Sequence, residues 1–188
     1  MQCNILLDKL PSYTPSGLKI RTDFRESIKF ELLMQDVNIK EEDKIRLALN
    51  LYYDKFFDIE DALRDMIWFY SCNRIENNKE QKRTIERKEK QIYSYEFDSE
   101  FIYSAFMEQY NIDLNNIEYL HWWKFKALFN SLNKNIHFSK IMGYRAIDLS
   151  SIKDKETRKR YKKLKELYIL PDMRSEEEKE NDMAEELW

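Results

Sequence analysis

The chain has 188 residues, of which 43% are hydrophobic and 14% aromatic, enough to bury a core and to exclude a disordered chain. Two glycines and three prolines argue against an all-β design, whose turns use both freely, and favour long helices. A net charge of −3 within 36% charged residues excludes a surface dominated by phosphate contacts, and no run nears the roughly twenty apolar residues of a membrane span.

Residues 1–22 are the one stretch that reads as non-helical. Their apolar run is too short for a signal peptide and has no basic flank. Thr14-Pro15-Ser16-Gly17 has the signature of a type I turn, so residues 12–14 and 18–20 are predicted to be the arms of a small β-hairpin. Asp23 with Glu26 then opens a helix carrying Phe24, Ile28 and Leu32. Asn38 with Glu41 marks a second start, followed by the stripe Ile45, Ala48, Leu49 and Tyr52. Asp58 starts a third helix, buried through Ala62, Leu63, Met66, Ile67 and Tyr70. From about residue 73 to 92 the apolar pattern lapses into charge, which reads as an exposed linker or a solvated helix. A nucleic-acid contact is the alternative there, although glutamates interrupt the basic residues.

The second half is aromatic. Asp98 or Ser99 is expected to cap a helix bearing Ile102, Ala105, Phe106 and Tyr110. A helix over His121-Trp122-Trp123-Lys124-Phe125 follows, with a stripe of Trp122, Phe125, Phe129 and Leu132 widened by Leu120, Trp123 and Ala127. A face so broad is either central to a core or shared with a partner. Adjacent helical residues point about 100° apart, so one of Trp122 and Trp123 is expected inside and the other at a partner surface. A short helix over 139–146 leads to Asp148-Leu149-Ser150 and to a last helix over about 153–170. Residues 153–165 hold eight basic and two acidic residues, and residues 172–186 invert this to two and eight. That acidic end reads as a tail that either folds back on the basic helix or only adds solubility. Together these segments predict a mainly α, compact multi-helix bundle: one domain over 1–171, with the charged linker inside it, and an acidic tail over 172–188.

Catalytic and cofactor motifs are missing. His121 and His137 stand in no metal-ligand spacing with Cys3 or Cys72, which read as reduced thiols. Gly17 and Gly143 are too few and too far apart for a phosphate loop, and there is no nucleophile elbow. The expectation is a non-enzyme without cofactor or metal.

The residues Asp8-Lys9-Leu10-Pro11, Ile20-Arg21-Thr22-Asp23-Phe24-Arg25, Trp68-Phe69-Tyr70, Phe101-Ile102-Tyr103-Ser104-Ala105-Phe106, Leu120-His121-Trp122-Trp123-Lys124-Phe125 and Tyr144-Arg145-Ala146-Ile147-Asp148-Leu149-Ser150 carry a resemblance to the bacteriophage gene-product-fifteen family. The match closes at Tyr161-Lys162-Lys163-Leu164-Lys165. Genes of that family typically lie between those of the tail tube and the tape-measure protein, the position of tail-assembly chaperones. The resemblance therefore implies a non-catalytic helper in the cytoplasm of the bacterial host. Its partners would be the phage tape-measure protein and the tail-tube protein, with neither membrane nor nucleic acid involved. Tyr103, Trp122, Trp123 and Phe125 are the candidate contact residues, with Arg158, Arg160 and Lys163 on the basic helix as a second surface. A minor virion component and a nucleic-acid-binding regulator remain the alternatives.

Overall fold

The structure is a computed structural model, and it describes residues 3–73 and 91–172. Those residues form seven α-helices: α1 (Phe24–Gln35), α2 (Glu41–Tyr52), α3 (Ile59–Tyr70), α4 (Ser99–Tyr110), α5 (Trp122–Asn130), α6 (His137–Ala146) and α7 (Lys155–Leu167). A 3-10 turn, Leu149–Ser151, joins α6 to α7. Helix α1 packs on α2 and α5, α2 on α3, α4 on α6, and α6 on α7. Most of the expected linker and tail, residues 74–90 and 173–188, lie outside the described residues.

Local chemistry accounts for most helix starts. The carboxylates of Asp23, Asp58 and Asp154 accept from the backbone N–H groups of Arg25, Asp61 and Thr157, filling donors that a first turn leaves open. Helix α2 departs from expectation. Asn38 turns back onto Asp36, at 2.9 Å from its own N–H, and the helix starts after Lys40 with Glu41, Glu42 and Asp43 at its positive end. Asp98 occupies the N-cap of α4 but gives the helix no side-chain bond, because its carboxylate is engaged elsewhere.

The predicted β-hairpin is corrected. The turn is present: the Gly17 N–H donates to the Thr14 carbonyl at 2.9 Å, and Gly17 has the φ of +84° that only glycine adopts freely. No strand follows among the described residues, only the single bridge Tyr13–Lys19. Between the arms the Thr14 N–H donates to Leu18 O at 2.8 Å and the Ile20 N–H to Ser12 O at 3.1 Å, and the turn and the residue after the arms are tied to the helices. The Ser16 N–H and hydroxyl donate to Asp65 of α3, and the Arg21 N–H donates to the Tyr52 carbonyl at the end of α2. Asp65 is itself buried; burial raises its pKa, but the bonds from Ser16 and Thr14 outweigh that and hold it below the ordinary value.

Rings from distant helices make the core. Phe125 has no exposed surface and lies near-parallel to Phe24 (4.9 Å, 14°), Phe106 (5.0 Å, 9°) and Trp122 (5.6 Å, 13°). Trp122 stacks in turn on Tyr70 at 5.6 Å. The expected division of the tryptophan pair fails: Trp122 and Trp123 are 0% and 5% exposed. The cause is the end of α3. Its last two residues present carbonyls beyond the intrahelical ladder; Phe69 O accepts from the Cys72 N–H at 3.0 Å and has a lone pair to spare. The Trp123 indole N–H donates to Phe69 O at 2.7 Å and the Trp122 indole N–H to Tyr70 O at 2.8 Å. Two neighbouring side chains, splayed apart on α5, thus close one helix terminus together.

Candidate functional site

The segments that carry the family resemblance are placed as joints of the fold. The Arg21 guanidinium donates to the carbonyls of Asn50 (2.6 Å) and Leu51 (3.1 Å) and pairs with Asp54, closing the end of α2. Arg25 pairs with Asp23 and donates to Leu114 O and Ile117 O, which fixes the loop before α5. His121 caps α5: its Nδ1 accepts from the Trp123 N–H at 3.1 Å, which assigns the proton to Nε2, 3.1 Å from the Pro11 carbonyl. Burial, with Lys124 nearby, pushes this imidazole below its ordinary pKa, against the opposing pull of the Pro11 carbonyl, and keeps it neutral. Arg145 of α6 forms a two-armed pair with Asp98 at 2.6 and 2.9 Å, both buried, and also donates to Ile92 O and Tyr168 O.

These assignments relocate the contact residues proposed from sequence. Trp122, Trp123 and Phe125 lie in the core, committed to α3 and to the ring stack, and offer a partner no free face. Tyr103 is different. It is exposed on α4 and stands at a groove of about 690 Å³ between α1, α4 and the loop that follows α4. The floor is Phe24, Tyr95 and Phe125, the walls include Ile28, Ile102 and Leu114, and Ser99, Glu100 and Asn115 edge it. Phe125 lies beneath this groove and, with no exposed surface, supports its floor rather than meeting a partner directly. Volume and lining suit a few apolar side chains of a partner segment.

A second, smaller cavity of about 230 Å³ lies across α4, between it and α6, and shares Glu100 and Ser104 with the groove. Burial, with Tyr93 beside it, pushes the Tyr95 phenol far above its ordinary pKa, so the groove floor is uncharged. In the loop that supplies Leu114 and Asn115 to the groove, hydrogen bonds from Asn116 hold the Asp113 carboxyl below the usual range. Among the described residues no group of three His, Cys, Asp or Glu is placed to hold a metal, and no helix is long and apolar enough to cross a membrane.

The basic candidates lie on α7, none of whose residues is buried. Arg158 spends its guanidinium on Ile152 O, at 2.6 and 2.9 Å, which ties the start of α7 to its own approach. Arg160 and Lys163 are exposed and make no ion pair among the described residues. The two surfaces expected from sequence are thus separate: α7 lines neither cavity. Sequence reasoning missed Phe24 and Tyr95 as groove floor, since only the folded chain brings residues so far apart against Phe125.

No curated protein and no solved structure matches the chain. A family model described as Bacteriophage Gp15 protein matches residues 6–170 and so takes in all seven helices, the joints between them and the groove. With most of its length inside that match, the chain belongs to the Bacteriophage Gp15 protein family.

Proposed function

We propose that this phage protein is a tail-assembly chaperone, non-catalytic, that holds an amphipathic helix of the tape-measure protein in the groove beside α4 while the tail is built in the host cytoplasm. A tape-measure chain is long and helical, and its apolar faces need cover until the tube closes around it. The observation that carries the reading is the groove itself: an open, mainly apolar trough whose floor rings are fixed from beneath by the core stack. A preformed trough of this kind suits the docking of an apolar stripe at i, i+3 and i+7 with little ordering cost on the chaperone's side. The tail-tube protein is a second proposed partner, for which α7 leaves Arg160 and Lys163 accessible.

Co-expression with the tape-measure protein tests this. Complex formation and improved solubility of the tape measure are expected. Tyr103→Ala and Ile28→Asp should each lower recovery of the complex at least tenfold while leaving the circular dichroism of the chaperone unchanged. Recovery indifferent to both substitutions refutes the groove, and stoichiometric copies of the protein in purified particles refute the chaperone in favour of a virion component.

A further inference from the structure

We propose that the occupant of this groove is a cationic amphipathic helix, whose apolar stripe enters the trough while its lysines or arginines meet Glu100 and Glu108 along α4. The inference rests on the groove being a helix site and adds the chemistry by which it chooses. Glu100, Ser104 and Glu108 are four and eight residues apart, so they form one ridge, with the two carboxylates about 12 Å apart along the axis. The ridge separates the two cavities, and Glu100 and Ser104 line both.

The charge on this ridge is unmatched. Helix α4 contains no lysine or arginine, and neither Glu100 nor Glu108 joins an ion pair among the described residues. Several acidic side chains on other helices do pair within their helix: Glu26 with Lys29, Glu41 with Lys44, Asp43 with Arg46, Asp61 with Arg64 and Glu166 with Lys162. Asp113, which lines neither cavity but precedes Leu114 and Asn115 of the groove, adds to the same sign. Beyond the ridge, the smaller cavity has a wall of Phe101, Ile136 and Phe138 with Glu100 and Glu108 at its edge. His137 also lines it, 3.3 Å from the Tyr168 hydroxyl. An aliphatic stem against rings with a charged head near carboxylates is the environment that lysine and arginine fit.

A neutral aliphatic ligand would leave the acidic ridge unanswered.

Two synthetic helical peptides of equal length, with the same leucine stripe at i, i+3 and i+7, decide the matter. One has lysines flanking the stripe and the other glutamates. Isothermal titration into the full chain is expected to show the lysine peptide binding about tenfold more tightly at low salt, the preference shrinking as salt rises. The double variant E100Q/E108Q should lose most of that preference, whereas E42Q on exposed α2 should keep it. Equal affinity for both peptides, or a preference that survives in E100Q/E108Q, overturns the charge selection and leaves the groove standing if Tyr103→Ala still weakens both. Binding of neither peptide overturns the groove as well.

Discussion

Replacing Arg145 by methionine should be among the most damaging single changes available in this chain. The guanidinium makes four hydrogen bonds: to both oxygens of Asp98 at 2.6 and 2.9 Å, to Tyr168 O at 2.6 Å and to Ile92 O at 3.1 Å. Methionine fills much of the volume but strands the Asp98 carboxylate, 1% exposed, with the Ser94 N–H as its remaining partner. Breaking a buried pair from one side costs about 3–5 kcal/mol, mainly through the uncompensated charge. Total stabilities run about 5–15 kcal/mol, so this is a large fraction. Urea unfolding followed by tryptophan fluorescence measures it. With an m-value of about 2 kcal/mol per molar, the midpoint should fall by about 2 M. Adding Asp98→Leu to Arg145→Met removes the stranded charge, so the double variant should recover at least about 1 kcal/mol over Arg145→Met alone. A loss below about 1 kcal/mol for the single variant, or strictly additive effects in the double, would falsify the claim that this pair is buried and coupled.

The tryptophans, the turn and the histidine give further tests. Trp122→Ala and Trp123→Ala should both cost about 3–5 kcal/mol in chemical denaturation, because both rings are core; Trp123→Phe, which keeps most of the ring but deletes the bond to Phe69 O, should cost about 1 kcal/mol or somewhat more. Gly17→Ala meets no atom within 4 Å, so its cost, about 1 kcal/mol in thermal melts, should come from the left-handed backbone alone. His121 is held neutral, with a folded pKa below that of the unfolded chain. Its stabilising effect is therefore complete above about pH 6.5 and is lost as pH falls through the lower folded value. His121→Asn keeps a capping acceptor without titrating, so between pH 7 and 5 the urea midpoint of the natural chain should fall more steeply than that of the variant.

Features set by near neighbours were legible in the amino-acid sequence. Asp58 caps its helix because the N–H it satisfies lies three residues on, whatever the rest of the chain does. The Thr14–Gly17 turn was legible for the same reason, but not where pairing would stop beyond it, which depends on Tyr52 drawing the Arg21 N–H to the end of α2. Asp98 looked like an ordinary cap; its carboxylate belongs to an arginine 47 residues away. The helical period separates Trp122 from Trp123 correctly in angle, yet it assumes one buried side, and the end of α3 supplies cover for both. Tyr103 lies off the buried stripe of its helix and so stays exposed, while the floor beneath it was hidden because Phe24, Tyr95 and Phe125 converge only in three dimensions.

The isolated bridge between Asp23 and His121 bears on how such a chain leaves the ribosome. The Phe24 N–H donates to Leu120 O at 2.9 Å, the Trp122 N–H donates to Thr22 O at 2.8 Å, and the Leu120 N–H reaches the Asp23 carboxylate at 3.3 Å. The first turn of α1 and the first turn of α5 are thus finished by one another across 97 residues. Closing so long a loop carries an entropic cost that local helix formation does not offset, so this contact belongs to the slow part of folding. During synthesis α1, α2 and α3 emerge first, at about 5–20 residues per second, and wait several seconds for the segment that covers Phe24, Phe69 and Tyr70. A nascent chain stalled short of residue 120 therefore displays the aromatic faces that α5 is meant to cover, and for that interval it carries the exposed apolar surface that favours aggregation.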